Sequence, residues 1–389
     1  MEVHKDMDFK FSPEEEKFKQ EVYNFFVQEQ KLAVEARKEW DSGFGFGPCC
    51  WELLKKLGAK GWLCPTWPKK YGGLELPYMY RYIIMQQMHH YINVYSTVGA
   101  GMAGPVILRQ GSEEQKNQYL PQIARGEIEF ALGYTEPQAG CDLAALSIKA
   151  EDKGDHFLIN GSKLFNTRAH FSQYHWLGAR TDVTPPKYKG VSLFIVDLKT
   201  PGITINPIYT IGGRRTNEIF YDNVIVPKDA LVGQKSRGFS YILEALDFER
   251  ISTTAGPERD FLEFTDFVKE CGLGKDPLVR QKLADAAIEI ESARLLSLRV
   301  ACMLSRGQIP NYEAAMLKMV VCETEQLFMS TTMQILGEYG QIQAGSEWPP
   351  LDGKFERDYR ESLERLITRG TPEITRNIIA QRGLKLPRE

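Results

Sequence analysis

Three short segments of the sequence carry groups that can hold a flat heterocycle or a phosphate. The first, residues 134–142, places Thr135 and Gly140 in a loop at the opening of a strand-rich region. A threonine hydroxyl and open backbone N–H groups can bind the edge of a ring system or a phosphate. An ordinary Pro/Gly turn closed by Asp142 has the same residue types, so both interpretations stay open for this segment alone.

The second and third segments are equally ambiguous when each is taken alone. Phe165 and Thr167 place an aromatic face and a hydroxyl where a ring system could pack, but alternation in a half-buried strand gives the same pattern. Gly337 and Gly340, after Gln334, allow a close backbone approach, but a helix end followed by a turn explains them too. The third segment is not a dinucleotide fingerprint, because no strand precedes it and GxGxxG is absent.

Composition places the chain among multidomain globular enzymes. Its 389 residues exceed one hydrophobic core, so we expect two or three domains. A net charge of -3 argues against a nucleic-acid binder, and no apolar run reaches the roughly 18 residues of a membrane span. The polar N-terminus lacks an apolar signal core, and we expect a cytoplasmic protein.

The potential metal ligands are scattered. The 7 cysteines form no CxxC pairs, which argues against a disulfide framework or a zinc site. His89 and His90 lie in a helical pattern with no third ligand at suitable spacing. We therefore predict no metal, and read both histidines as surface or core residues.

The order of elements predicts an α+β fold in three domains. A helical N-terminal domain is expected over 1–127, a β domain over 128–233 and a helical bundle over 234–389.

Local signals within these domains predict particular elements. Asn160-Gly161 lies between two apolar runs and predicts a hairpin turn. Apolar periodicity predicts long helices over 283–306 and 312–336.

Taken together and in order, the motifs resemble the acyl-CoA dehydrogenase family. The resemblance runs from Phe11 to about Arg388. It implies a helical N-terminal domain, a β-barrel-like middle domain and a C-terminal four-helix bundle, with FAD as cofactor. It also implies an oligomer and an electron-transferring flavoprotein as acceptor. The motifs that carry it are TEPQAGCD at 135–142, NGSKLFNT at 160–167, DNVIVP at 222–227, QILGEYG at 334–340 and RGTPEI at 369–374.

The resemblance assigns residues to the cofactor site. It implies that Thr167 lies near flavin N5, and that Gly140 and Cys141 lie near the diphosphate and the thioester. Gln334, Gly337 and Gly340 are implied to reach the FAD of a neighbouring subunit. The cofactor-binding residues implied in full are Leu132, Tyr134, Thr135, Gly140, Cys141, Phe165, Thr167, Gln334, Gly337, Gly340, Thr371 and Glu373.

The catalytic base departs from the usual family pattern. Most members carry a glutamate in a Tyr-Glu-Gly-Thr segment, where this chain has Thr-Arg-Gly-Thr at 368–371. Arginine accepts no proton in a protein, so Arg369 is not the base. A minority of the family carries the base on an earlier helix before an arginine, and Glu249 followed by Arg250 matches that place. We predict Glu249 as base; a solvated glutamate beside a salt-bridging arginine is the alternative.

Arg369 therefore needs another role. It could pair with Glu249 and lower the pKa of the base. It could bind a second substrate carboxylate through two hydrogen bonds, or fill space left by a different substrate shape. We predict that Cys141, Arg250 and Arg369 contact substrate, and that the acyl group is bulky, cyclic, branched or dicarboxylic.

A second departure concerns assembly. Family homotetramers usually carry Arg-x-x-Phe-Gly where this chain has residues 268–276, which lack that arginine and phenylalanine. With the segment GLKLPR at 383–388, this resembles the base-bearing subunit of the α2β2 branch that handles steroid side-chain thioesters. The intact Gln334, Gly337 and Gly340 also suit a homo-oligomer, so both assemblies stay open.

Two other functions remain in view. One is a flavin oxidase or monooxygenase of the same fold. The other is a catalytically inactive structural subunit of a heteromeric acyl-CoA dehydrogenase, since the usual glutamate near Gly370 is missing.

Overall fold

The structure is a computed structural model that describes residues 10–43, 45–92, 97–183, 186–249 and 254–387, without the side chains of Phe248 and Glu249. Within the described part, the chain begins with helices and a π-helical turn at Gly99–Ala103. The helices before the first strand are α1 (Pro13–Gln28), α2 (Gln30–Asp41), α3 (Pro48–Ala59), α4 (Tyr78–Ile92), α5 (Gly104–Gln110) and α6 (Glu113–Ala124).

Serine caps start α1 and α6. The side chains of Ser12 and Ser112 each accept the backbone N–H three residues on, from Glu15 and Gln115. The Glu15 and Gln115 side chains in turn accept the serine N–H groups. This reciprocal pattern satisfies two donors that the first helical turn leaves unpaired.

The middle segment forms a seven-stranded sheet in the order β1-β4-β2-β3-β7-β6, with β5 pairing β4. β4 pairs β1 and β2 in parallel, and the other pairs are antiparallel. The strands are β1 (Phe130–Gly133), β2 (Lys149–Asp152), β3 (His156–Lys163), β4 (Tyr174–Arg180), β5 (Val191–Asp197), β6 (Ile203–Tyr209) and β7 (Arg215–Pro227).

The hairpin turn predicted at Asn160-Gly161 is wrong. β3 runs unbroken through both residues and pairs with β7 on either side of a bulge. Gly161 has a φ of +138°, and a Cβ there would lie 2.9 Å from Ile148 Cγ1. Glycine is therefore needed for the bulge, and the chain reverses earlier, between β2 and β3.

Helices return after the sheet. The segment 337–341 continues α10 as a short 3₁₀ turn, and a π-helical turn follows the last helix. The helices are α7 (Gly238–Glu249), α8 (Ala255–Glu270), α9 (Pro277–Ser305), α10 (Tyr312–Leu336), α11 (Lys354–Ile367) and α12 (Pro372–Ile378).

The apolar side chains form separate cores. One large cluster joins the N-terminal helices to the sheet. A second lies within the C-terminal helices around Phe264, whose ring centroid is 5.0 Å from Phe355 and 6.2 Å from Phe328. The α+β class and the helix–sheet–helix architecture predicted from the sequence are confirmed.

The turn between β6 and β7 connects all three parts of the chain. The Arg214 guanidinium lies 2.6 Å from the Glu361 carboxylate on α11. Arg360, also on α11, donates to the Ile211 carbonyl. The Arg215 N–H donates to the Gly43 carbonyl just beyond α2, at 2.9 Å. The sheet is thereby fixed against both helical regions.

Two negative findings concern the described residues. No helix in the described ranges is long and apolar enough to cross a membrane. In the same part of the chain, no group of three or more Asp, Glu, His or Cys side chains is arranged to hold a metal ion.

His89 is buried near the end of α4, and burial, with Arg259 and Arg369 nearby, lowers its pKa to about 3.

Candidate functional site

The structure brings two of the three sequence segments together at one end of the sheet. β1 ends at Gly133, and the chain continues through Thr135. The Leu164 N–H donates to the Thr135 carbonyl at 2.9 Å. Thr135 therefore lies beside the segment that carries Phe165 and Thr167.

A buried ion pair fixes this junction. Lys163 Nζ donates to Glu136 Oε1 and to the Tyr134 carbonyl, both at 2.9 Å. The Glu136 carboxylate also accepts the N–H groups of Ser147 at 2.6 Å and Ile148 at 3.0 Å. Loop and strand end are thus held by one charged pair inside the protein.

Burial and charge act in opposite directions on this pair. Burial alone would raise the pKa of Glu136, but Lys163 and the two backbone donors outweigh it and lower that pKa. Burial lowers the pKa of Lys163 to about 8, against the attraction of Glu136. The carboxylate is therefore ionised at neutral pH and can accept all of these donors.

Phe165 and Thr167 both face outward. Phe165 is 56% exposed and its backbone has a φ of +56°, a conformation that non-glycine residues rarely adopt. Thr167 is exposed, and its Oγ1 lies 3.1 Å from Thr216 Oγ1 on β7. An exposed aromatic ring and an adjacent hydroxyl form a surface suited to a planar partner.

The other residues predicted in this loop lie nearby but differ in exposure. The Tyr134 side chain is buried, and its hydroxyl accepts the Trp176 indole N–H at 2.9 Å. Leu132 is partly buried in β1. Gly140 and Cys141 are exposed, and no atom lies within 4 Å of the position of a Cβ on Gly140. A ligand can therefore approach the Gly140 backbone, whereas the Tyr134 side chain faces the core.

The third segment lies in the helical bundle. Gln334 is exposed near the end of α10, and its side-chain oxygen accepts from Lys282 Nζ on α9 at 2.5 Å. Gly337 has a φ of +59° and open space around it, whereas Gly340 is buried. Residues 337–341 contact α10, α11 and the short turn at 350–353. These contacts place the segment on the helical bundle.

The residues predicted near the adenosine half of the cofactor start α12. Thr371 is the N-cap, and its side chain accepts the Ile374 N–H at 3.4 Å. Glu373, in the first turn, is exposed. Its pKa is lowered first by its own backbone N–H and then by the Thr371 hydroxyl. These local contacts account for both residue types, because both stabilise the start of α12.

The predicted base lies at the end of α7. Glu249 is the last residue of that helix, and its side chain lies outside the described part of the structure. Arg250 lies outside the described residues altogether. α7 packs against β4, β5 and the π-helical turn at 99–103. The helix that carries Glu249 therefore packs against both the N-terminal helical region and the sheet.

Arg369 lies in the loop between α11 and α12, with a φ of +62°. A guanidinium nitrogen lies 3.9 Å from Cys322 Sγ on α10, and its charge helps lower the pKa of His89 on α4. Lys318, fully buried on α10, donates to the carbonyls of Leu366 at 2.8 Å and Gly370 at 2.5 Å. These bonds hold the Arg369 loop against the interior of the bundle.

Sequence reasoning missed a buried polar group behind the outward-facing pair. His175 on β4 and Tyr221 on β7 meet beneath Asn166, which lies between Phe165 and Thr167. A lone histidine within an apolar strand carries no local signal of such a role, and its partners are distant in sequence.

Models of three protein domains match the chain. The acyl-CoA dehydrogenase N-terminal domain matches residues 12–127, the middle domain 131–224 and the C-terminal domain 236–384. Acyl-CoA dehydrogenase FadE29 of Mycobacterium tuberculosis (strain ATCC 25618 / H37Rv) is 34% identical over 388 residues, covering 97% of this chain and 98% of FadE29.

Solved structures agree with this match. The Tcur3481-Tcur3483 steroid ACAD has a TM-score of 0.91 and 33% identity, covering 98% of this chain and 100% of that chain. The ChsE4-ChsE5 complex from Mycobacterium tuberculosis has a TM-score of 0.88 and 28% identity, again covering 98% and 100%. The chain belongs to the acyl-CoA dehydrogenase family of oxidoreductases and is similar to its steroid branch.

Proposed function

We propose that this protein catalyses FAD-dependent α,β-dehydrogenation of a CoA thioester whose acyl group is bulky, cyclic, branched or dicarboxylic. The observation that carries the proposal is the outward-facing pair Phe165 and Thr167, fixed beside Thr135 by the Lys163–Glu136 ion pair. Bound FAD would supply the acceptor for a hydride from the β-carbon.

The residues present fit a flavin at this place. The Phe165 ring is 56% exposed on a backbone with a left-handed φ, and a stacked ring would cover it. The exposed Thr167 hydroxyl can donate to a ring nitrogen. The open Gly140 backbone offers N–H approach to a diphosphate.

The chain's own part in the reaction is proton removal and substrate orientation. We assign Glu249 as the group that takes the α-proton. A placed base of this kind contributes about 10²–10⁴-fold to the rate. Cys141 and Arg250 are assigned to the thioester region by family similarity alone.

The presence of Arg369 supports the proposal that the acyl group is not a plain straight chain. Arg369 puts a cation where most family members carry the catalytic glutamate. Its loop is fixed by the hydrogen bonds from Lys318. A guanidinium there can bind a substrate carboxylate with two parallel hydrogen bonds. The similarity to the Tcur3481-Tcur3483 steroid ACAD favours a polycyclic acyl group as the first to test.

Partners follow from the same similarities. The ChsE4-ChsE5 neighbour is a complex of two different chains, which favours a heteromeric assembly here as well. Gln334 and the open Gly337 backbone lie on the bundle and are proposed to complete the FAD site of a neighbouring subunit. An electron-transferring flavoprotein is the proposed acceptor.

The experiment is a substrate panel on the purified holoprotein. CoA thioesters of a steroid side chain, a branched acid, a dicarboxylic acid, butyrate and octanoate are mixed anaerobically with enzyme, and the 450 nm flavin absorbance is followed. We expect bleaching by a bulky or dicarboxylic thioester, with a product two hydrogens lighter. Clear preference for butyryl- or octanoyl-CoA would reject the acyl group proposed here. In a separate aerobic assay with an electron-accepting dye, oxygen consumption in place of dye reduction would indicate an oxidase.

A further inference from the structure

We propose that His175 is a positioning residue that fixes Phe165 and Thr167 for contact with the flavin, acting through Asn166. The inference rests on the FAD site proposed above. It concerns only groups that the structure describes.

The side chains of residues 165–167 point alternately outward and inward. Phe165 and Thr167 are exposed, whereas Asn166 between them is 0% exposed. Whatever fixes the Asn166 side chain therefore also fixes the directions of its two neighbours. A buried asparagine must be fully hydrogen-bonded, so its partners are strongly constrained.

A directed chain of hydrogen bonds meets that requirement. Asn166 Nδ2 donates to the Asn217 carbonyl at 3.3 Å, which turns Asn166 Oδ1 toward His175 Nε2 at 2.7 Å. Because Oδ1 only accepts, Nε2 carries the proton and Nδ1 is the acceptor. The Tyr221 hydroxyl, 2.5 Å from Nδ1, is then the donor. The four groups form one ordered series of hydrogen bonds.

The backbone of Asn166 is held as well. Its N–H donates to the Asn217 carbonyl at 2.8 Å, and its own carbonyl accepts from Asn217 Nδ2 at 2.9 Å. The side-chain series and this pair of bonds both include Asn217 on β7. Together they account for the left-handed φ of Phe165, which the surrounding contacts must maintain.

Gly133 on the neighbouring strand β1 leaves space for the His175 ring, because glycine has no side chain. A Cβ on Gly133 of β1 would lie 2.4 Å from the His175 ring, so any side chain there would displace it. Burial lowers the pKa of His175 to about 3, and the ring is therefore neutral at working pH. A neutral ring can donate at one nitrogen and accept at the other, as the series requires.

The test separates positioning from general stability by replacing His175 in two ways. His175→Leu removes both hydrogen bonds, whereas His175→Gln keeps one donor and one acceptor on the side chain. Tyr119→Phe removes a hydroxyl from a buried residue outside the series and serves as control. FAD affinity is measured by fluorescence titration of the apoprotein, visible circular dichroism reports the flavin environment, and thermal melting of the apoprotein reports stability.

We expect His175→Leu to weaken FAD binding about 10-fold, from the loss of buried hydrogen bonds, and to change the visible dichroism. His175→Gln should restore both, and Tyr119→Phe should alter neither. If His175→Leu does not fold, Tyr221→Phe removes one hydrogen bond of the series and should move the same readouts in the same direction. Unchanged FAD affinity and dichroism in the foldable variants would overturn the inference. Wild-type protein that binds no FAD would instead overturn the proposed function, and the inference with it.

Discussion

Lys163 and Glu136 form an ion pair inside the middle domain, with Nζ 2.9 Å from Oε1 and side chains only 0% and 3% exposed. The pair joins the end of β3 to the loop after β1. Those two places carry Thr135 on one side and Phe165 with Thr167 on the other. The geometry of the proposed flavin site therefore depends on a buried charge pair.

Breaking this pair should destabilise the protein strongly. Lys163→Met leaves the Glu136 carboxylate buried without its cation, which costs about 3–5 kcal/mol of unfolding free energy. Urea denaturation measures the loss. The matched control, Lys153→Met, removes a surface partner of Glu151 and should change stability little. Equal stability of the two variants would contradict the account of the pair.

The buried His175 should make folding sensitive to acid. Its pKa is about 3 in the folded protein against the ordinary 6.5, so below 6.5 the unfolded chain binds a proton that the folded chain does not. Stability is therefore lost as pH falls from 6.5 toward 3. Between pH 7.5 and 5.0 this costs about 2 kcal/mol, at about 1.36 kcal/mol for each pH unit below 6.5.

His175→Gln lacks this group, so its unfolding free energy should fall by about 2 kcal/mol less than that of the wild type over the same interval. His89, which is also buried, is present in both proteins and cancels in the comparison. Urea denaturation at pH 7.5 and 5.0 gives the two differences. Parallel losses would show that His175 is not held neutral.

Glu249→Gln should abolish turnover while leaving the flavin bound. A glutamine accepts no proton from the substrate, so kcat should fall by about 10²–10⁴-fold with an unchanged FAD content. Glu244→Gln makes the same change on the same helix, where the carboxylate accepts from Arg109 at 2.8 Å, and should stay active. Full activity of Glu249→Gln would show that another residue is the base, or that this chain is a structural subunit.

Arg369→Asn tests recognition of a substrate carboxylate. Asparagine tolerates the left-handed backbone at this position, so the loop should persist. We expect kcat/KM for a dicarboxylic thioester to fall about 10–100-fold, with little effect on a neutral one. Arg376→Asn, which removes a surface partner of Glu323, is the control. A uniform loss across thioesters, with a shifted pH profile, would favour pairing between Arg369 and Glu249.

Helices with strong periodicity were predictable from the sequence, but their ends were less so. The helix predicted over 312–336 is α10 at those bounds, because its apolar repeat runs to both ends. α9 starts at Pro277, ahead of the predicted 283, because the Asp276 cap and a proline start it before the apolar repeat begins. The Asn160-Gly161 error arose because glycine serves bulges and turns alike.

The site was predictable only where its residues are neighbours in sequence. The loop at 134–142 and the pair Phe165 and Thr167 carry local signals, and the sheet brings them together. The His175 series joins β4, β7 and the end of β3, and His175 and Tyr221 are 46 residues apart. Such a network depends on tertiary pairing, which no short segment encodes.

The most direct test of the central claim is anaerobic reduction of the bound flavin by substrate. Wild-type holoprotein and Glu249→Gln are each mixed with a steroid side-chain CoA thioester, and absorbance at 450 nm and product mass are recorded. The account predicts rapid bleaching and an α,β-unsaturated thioester with the wild type, and neither with the variant. A fully flavinated wild type that no bulky, branched or dicarboxylic thioester bleaches would contradict it.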